Sequence, residues 1–258
     1  MESDIKLADV PILLQSAPLW MPTAIKEVRQ VTPTIKALRF DVPWGDAFRA
    51  GQCIDFRLTA ADGYTAQRYY SIATAPDASK TVEVMVERQE GGEVSTFFHD
   101  ILELGDLLEV RGPIGGGPFT WQPSDPGPIL LIGGGSGVVP LLSMVRHRQA
   151  VGSHTPFTLI YSAKTHDDIL AREELLAAAA DDPHLQLVIT LTRESVIRPG
   201  FRIGRLTKEV VRSTLRGAWS RPETCFICGS NAFVGDMSDY LLEEGLEIHQ
   251  VRTERFGG

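Results

Sequence analysis

The stretch that most constrains this chain is Leu131-Ile132-Gly133-Gly134-Gly135-Ser136-Gly137-Val138-Val139-Pro140. An apolar run over residues 129–132 stops at three glycines, and an apolar helical pattern starts at Val138. That order reads as strand, tight turn, helix. Glycine lets a backbone come close to a bulky ligand. The first amides of the helix, backed by the positive end of its dipole, favour an anion at the turn. A pyrophosphate suits such a place, so a nucleotide cofactor is the first functional expectation. The alternative is a strand-to-helix turn whose glycines serve packing alone.

Around this turn the chain divides into two grammars. From Thr23 to about Trp121, short apolar runs at 24–28, 35–40, 54–58, 82–86 and 107–110 have strand-like spacing. Between them lie Val42-Pro43-Trp44-Gly45, Ala61-Asp62-Gly63 and Ala75-Pro76-Asp77, which are turn chemistry. One helix is expected at about 95–104. Several short strands in so few residues predict a small antiparallel β-barrel. The Pro-rich segment Gln122-Pro123-Ser124-Asp125-Pro126-Gly127-Pro128 reads as a linker. Beyond it, strands at 129–132, 158–161, 186–190 and 224–228 lead into helices ending near 148 and covering about 173–180, 207–215 and 231–244. The chain closes on a last strand at 248–252. Such alternation predicts an α/β domain with a parallel sheet and helices on both faces. Ligands of such sheets sit at the strand carboxyl ends, where the glycine turn falls. The expected division is an arm over 1–22, a barrel over 23–122 and an α/β domain over 128–258.

Composition narrows the function classes. Of 258 residues, 43% are hydrophobic and 22% charged, which is ordinary for a soluble globular protein. No apolar run approaches the roughly 20 residues that span a bilayer, so no membrane association is expected. The start, Met1-Glu2-Ser3-Asp4-Ile5-Lys6, carries acids where a secretory peptide carries bases, so a cytoplasmic location is expected. A net charge of −8 argues against nucleic-acid binding, which needs a basic surface. Cys53, Cys225 and Cys228 are too few for a disulfide framework or a Cys-ligated cluster, and no metal is expected. Cys225-Phe226-Ile227-Cys228 has redox-pair spacing, but in a strand residues three apart point to opposite faces.

Five motifs follow one another in a telling order. Arg68-Tyr69-Tyr70-Ser71 offers a guanidinium for a phosphate, a flat aromatic face and a hydroxyl for a ring nitrogen. Gly91-Gly92-Glu93-Val94-Ser95-Thr96 follows Val86-Glu87-Arg88, and Ser95 also has the chemistry of a helix N-cap. Then come Gly112-Pro113-Ile114-Gly115-Gly116-Gly117-Pro118-Phe119, the glycine turn, and Cys228-Gly229-Ser230 with the terminal Glu254-Arg255-Phe256. From about Thr23 onward this order resembles the ferredoxin–NADP(+) reductase family, with a flavin-binding barrel followed by a nicotinamide-nucleotide domain.

The resemblance implies roles for individual residues. Arg68, Tyr69, Tyr70 and Ser71 would hold the flavin, with Ser71 at its N5. Gly92, Val94, Ser95 and Thr96 would seat flavin phosphate, and the Val86 and Arg88 backbone would run beside the ribityl-adenosine side. Phe119 would pack on an adenine or fill space between the domains. Gly134, Gly135, Ser136 and Gly137 would receive the nicotinamide pyrophosphate. Cys228 and Gly229 would border the nicotinamide, although Cys228 also reads as core packing. Phe256 would cover one flavin face, and Ser71, Cys228 and Glu254 would form the catalytic set. Ser230 stands where many members carry proline.

Thr192-Arg193-Glu194 resembles the family's [S/T]-R-E, whose arginine meets the 2′-phosphate of NADPH. Arg202, Arg205 and Lys208 follow closely enough in sequence to complete a cationic pocket, unless this is simply a solvated basic loop. NADPH is therefore expected over NADH, and FAD over FMN. The implied reaction is hydride transfer from nicotinamide C4 to flavin N5. The chain closes at Gly258, soon after the terminal aromatic, so electrons would pass to a separate acceptor such as a ferredoxin or an oxygenase iron–sulfur component. Two alternatives stand beside this reading: an NAD(P)H:flavin reductase that uses loose flavin as substrate, and a non-enzymatic nucleotide-sensing module.

Overall fold

A computed structural model of the chain describes residues 19–42, 44, 48–77, 79–115, 117–217 and 221–256. The expected arm up to residue 18, Pro43 and Gly45 of the first turn, and Gly116 lie outside the described residues.

The first half is built from β1 (Met21–Thr32), β2 (Ile35–Asp41), β3 (Cys53–Thr59), β4 (Thr65–Ser71), β5 (Thr81–Glu87) and β6 (Leu107–Ile114). They pair antiparallel in the order β4-β3-β6-β1-β2-β5. Just past β4, Ile72 bridges Val84 of β5, and the Ala73 N–H donates to the Glu83 carbonyl at 2.8 Å. Those contacts bring the two edges together and close the barrel. Strand alternation sorts the side chains: Leu38 and Phe40 point inward, while Ile35 and Ala37 point toward the second half. At the centre of the barrel, Phe56 meets Phe40 and Phe98 edge-on at 5.4 and 5.3 Å.

Helix α1 (Glu93–Asp100) packs Val94 and Phe98 into that interior. It begins two residues before the expected start and ends before the expected Leu104. Gly92 occupies the N-cap position, so Ser95 lies inside the first turn and is not the cap. β4 escaped the sequence pattern because Thr65, Gln67, Arg68 and Tyr69 are all exposed and leave no clean alternation.

The second half contains β7 (Ile129–Gly134), α2 (Val138–Ala150), β8 (Phe157–Ala163), α3 (Arg172–Asp181), β9 (Leu185–Leu191), β10 (Phe201–Ile203), α4 (Lys208–Leu215), β11 (Thr224–Ser230), α5 (Asn231–Glu243) and β12 (Val251–Phe256). Its six strands are parallel in the order β10-β9-β8-β7-β11-β12. The sequence order reverses between β7 and β11, which opens a crevice at their carboxyl ends. Two details differ from expectation. β10 is a three-residue edge strand too short to signal itself, and residues 248–250 form a 3₁₀ turn, so the last strand starts at Val251. Cys225 and Ile227 face the core under α4 and α5, whereas Phe226 and Cys228 face the barrel side. Both thiols are free.

The halves share one apolar core. Ile35, Ala37, Ala73, Met85, Phe119 and Trp121 of the barrel pack with Leu131, Val138, Leu142 and Phe226 across the junction. Polar ties flank it. The Ser143 hydroxyl donates to the Thr74 carbonyl at 2.6 Å, and Arg146 donates to the Ala73 carbonyl at 2.9 Å, to Glu83 at 3.2 Å and to Glu174 at 2.7 Å. Arg146→Met would leave the buried Glu83 with Arg29 alone, 3.1 Å away. A loss of about 2–3 kcal/mol is expected in denaturant unfolding. An unchanged midpoint would mean that the apolar contacts alone hold the halves together.

Candidate functional site

In the parallel register, Cys228 of β11 lies opposite Glu254 of β12, and Ser230 lies opposite Phe256. Phe256 packs against the shared core, and the Arg252 guanidinium sits over Phe226 at 5.4 Å, so this side of the two strands faces the barrel. On the barrel, Cys53 of β3 is paired with Ser71 of β4. Glu254 is thus the register neighbour of Cys228, and its charge is also felt at Cys53 on the barrel.

Burial, followed by the nearby Glu254 and Asp55 charges, pushes the Cys53 thiol up to about 12. Burial and Glu254 also push Cys228 well above the ordinary thiol range. Neither sulfur is a thiolate near neutrality, and so neither is a nucleophile. Burial raises the Glu254 carboxyl to about 7. Its Oε2 is buried with no hydrogen-bond partner, and so is the Ser71 Oγ. A buried polar atom without a partner costs about 1–3 kcal/mol. Two such atoms, one from each domain, fit a ligand that carries its own polar ring atoms.

The glycine turn divides its labour. A Cβ on Gly137 would lie 2.3 Å from the Cys228 carbonyl oxygen, while one on Gly134 or Gly229 would meet the Phe233 ring at 3.0 or 2.8 Å. Those three glycines are required by packing. Gly135 has φ +55°, and nothing lies within 4 Å of its Cβ position. It is the open side of the turn, the place where a ligand backbone approach is free. Next to it, the Ser136 hydroxyl donates to Glu87 of β5 at 2.7 Å.

Along the barrel, Tyr70 lies edge-on to Phe56 at 5.7 Å and tilted on Phe98 at 5.8 Å, and burial raises its hydroxyl to about 12. Arg68 donates to the neighbouring Gln67 carbonyl and has no acidic partner among the described residues. Tyr69 projects from the opposite face of β4 and is exposed. Beyond Arg68, a cleft of about 440 Å³ lies between the β3–β4 hairpin and α1, lined by Leu58, Tyr64, Ala66, Gly92, Thr96 and Phe97.

Several expected contacts are engaged elsewhere. The Ser95 hydroxyl accepts from the Gln89 N–H and donates to the Gly92 carbonyl, both at 3.1 Å, which shapes the loop ahead of α1. Val94 and Val86 are core side chains, and the Val86 carbonyl is bonded by His99. The Arg88 amide donates to Thr34 and its guanidinium pairs with Asp100. Of the two roles open to Phe119, its position supports interdomain filling: it is buried and edge-on to Phe226 at 5.4 Å.

At the other end of the crevice, the Thr192 N–H and hydroxyl bond the Ala163 carbonyl, and the Arg193 N–H bonds Lys164. Glu194 accepts from the N–H groups of His166, Ser195 and Val196, which holds its carboxyl below the usual range. Arg193, Arg202 and Arg205 are exposed and without acidic partners among the described residues. Lys208 does not join them. It pairs with Glu243 of α5, because closeness in sequence to Arg205 is undone where α4 begins. Sequence reading missed Cys53, Glu87 and Tyr64. Only strand register and tertiary packing reveal them.

Among the described residues, no group of three or more His, Cys, Asp or Glu is gathered to hold a metal ion, and no helix is long and apolar enough to cross a membrane. Residues 22–119 match the oxidoreductase FAD-binding domain family, and residues 131–239 match the oxidoreductase NAD-binding domain family. Over 235 residues the chain is 34% identical to ferredoxin–NADP reductase B of Sorangium cellulosum, covering 89% of this chain and 94% of that one. It is 29% identical to the reductase component of propane 2-monooxygenase from Mycolicibacterium goodii, covering 91% and 67%. A ferredoxin NADP+ reductase from Neisseria gonorrhoeae, solved with bound FAD and NADP, shares the fold with TM-score 0.78 at 22% identity, covering 92% and 98%.

A carboxyl with a raised pKa favours folding while it stays protonated. The stability from Glu254 is complete below the ordinary value of 4.5 and is lost as pH rises through about 7. Glu254→Gln is neutral throughout. In unfolding of the ligand-free protein it is expected to match wild type under acid conditions and to exceed it on the alkaline side, by up to roughly 3 kcal/mol. Parallel pH profiles for the two proteins would mean that the carboxyl is solvated.

Proposed function

The chain belongs to the ferredoxin–NADP reductase family of FAD- and NAD-binding oxidoreductases, and from that premise we propose that it takes reducing equivalents from NADPH through FAD and passes them to a separate acceptor protein. The observation that supports this reading is the pair of buried, unpartnered atoms, Ser71 Oγ and Glu254 Oε2, supplied by two different domains. When bound, the two cofactors supply hydride transfer from nicotinamide C4 to flavin N5, and the protein supplies alignment and electrostatics.

In this reading the Ser71 hydroxyl donates to the flavin ring nitrogen and Tyr70 gives the ring an aromatic neighbour. Arg68, with no acidic partner among the described residues, pairs with flavin phosphate at the start of α1. The cleft of about 440 Å³ beyond Arg68 leaves space for an adenosine, which favours FAD over FMN. Gly135 and Ser136 receive the nicotinamide pyrophosphate on the open side of the turn. Cys228, held as a neutral thiol, borders the nicotinamide without charging it. Glu254 keeps its proton below about pH 7 and adds no charge there until that pH is passed. Phe256 shields the ring from water.

Preference for NADPH rests on Arg193, Arg202 and Arg205, three exposed guanidinium groups with no acidic partner among the described residues. A separate acceptor is supported by the relatives, one a ferredoxin–NADP reductase and another the reductase component of a monooxygenase. An iron–sulfur protein or an oxygenase component fits that role.

Two substitutions test the reading. Arg68→Ala is expected to weaken flavin retention by about tenfold to a hundredfold, the worth of one charged hydrogen bond. The readout is the flavin-to-protein absorbance ratio after gel filtration. An unchanged ratio would remove Arg68 from the phosphate site, and a wild-type protein that elutes colourless would favour use of flavin as a loose substrate. Arg193→Ala is expected to narrow the ratio of kcat/KM for NADPH over NADH by at least about tenfold. An unaltered ratio would place the 2′-phosphate elsewhere.

A further inference from the structure

The open face of the glycine turn already has an anion beside it. Glu87, at the end of β5, accepts the Ser136 hydroxyl on one carboxylate oxygen at 2.7 Å, and the Lys164 ammonium stands 3.6 Å from the other. Glu87 comes from the barrel, Ser136 from the turn and Lys164 from the loop after β8. The carboxylate side chain is mostly buried, whereas the lysine is half-exposed. Glu87 thus occupies two side-chain donors, one of them next to Gly135 in the turn, whose own Cβ position is empty space. A pyrophosphate arriving there needs the same donors and carries the same sign of charge.

We propose that Glu87 is a built-in competitor that sets the affinity of the turn for the nicotinamide nucleotide. The inference rests on reading the turn as the nucleotide site. With the site empty, Ser136 and Lys164 are held in place by the barrel carboxylate. When the nucleotide enters, Ser136 and Lys164 turn from the carboxylate to the phosphate oxygens, and the remaining like-charge repulsion keeps binding weak enough for the oxidised nucleotide to leave. A plain interdomain latch would use the same hydrogen bond but would not make affinity depend on the carboxylate charge.

Glu87→Gln separates the two. The amide oxygen still accepts from Ser136, so the latch survives and only the charge goes. Isothermal titration of the flavin-loaded protein with NADP+ is expected to give a Kd about tenfold lower in Glu87→Gln than in wild type. Ser136→Ala, which deletes a donor to the phosphate, is expected to shift Kd the other way. An equal or higher Kd in Glu87→Gln, with an unchanged melting temperature, overturns the proposal and leaves the nucleotide site standing. If neither wild type nor variant binds NADP+ or NAD+, the reading of the turn itself fails, and the role of Glu87 fails with it.

Discussion

Everything in this molecule depends on helix α2 being buried on two sides at once. Val138, Leu141, Leu142 and Met144 lie in a core that also contains residues from both sheets. Ser143 and Arg146 bond barrel carbonyls from the same helix. At its far end, the buried Arg148 donates to the Thr155 carbonyl at 2.6 Å and pairs with Asp182. Domain junctions within a chain are commonly polar and allow relative motion. This one is a fused apolar core. Because α2 starts at the glycine turn, fixing the helix against the barrel also fixes the turn against β5.

What the sequence made legible follows from the range of each signal. The strand–glycine–helix transition is local and chemically extreme, so the α/β half could be read almost element by element. The barrel was readable wherever at least one strand face is buried, as in β2 and β5. It was unreadable at β4, where exposure on both faces erases the period of two. The start of α1 was misjudged because Ser95 has the chemistry of a cap, while the backbone turn is made by Gly92 three residues earlier.

The site was legible where motifs are contiguous and illegible where it is built by register. Ser71, Cys228 and Glu254 lie in recognisable strings, and the register pairs Cys228 with Glu254. Cys53 reaches the same cleft only because it is the cross-strand partner of Ser71. Glu87 reaches the turn only because β5 ends beside it. Phe119 could not be assigned from its string, since an aromatic at a barrel exit serves a ligand or a neighbouring domain equally well. Here Phe226 already occupies its edge.

The distribution of charge has a logic that composition conceals. The protein carries an excess of acids, yet its centre is almost uncharged: two thiols pushed upward by burial, a carboxyl raised to about 7, and an unpartnered hydroxyl. At the ends of the crevice, by contrast, Arg68 and the group Arg193, Arg202 and Arg205 have no acidic partner among the described residues, although many other arginines are paired. Leaving these guanidinium groups unpaired in an acidic protein forgoes local pairing energy. A ligand with a neutral ring system and anionic extremities is what such a field favours, since charges near the rings would be poorly solvated while charges at the ends find counterions. Glu87 is the exception that tests the rule. It places a negative charge where the field should be positive, and its contacts with Ser136 and Lys164 keep that charge satisfied until a competing anion arrives.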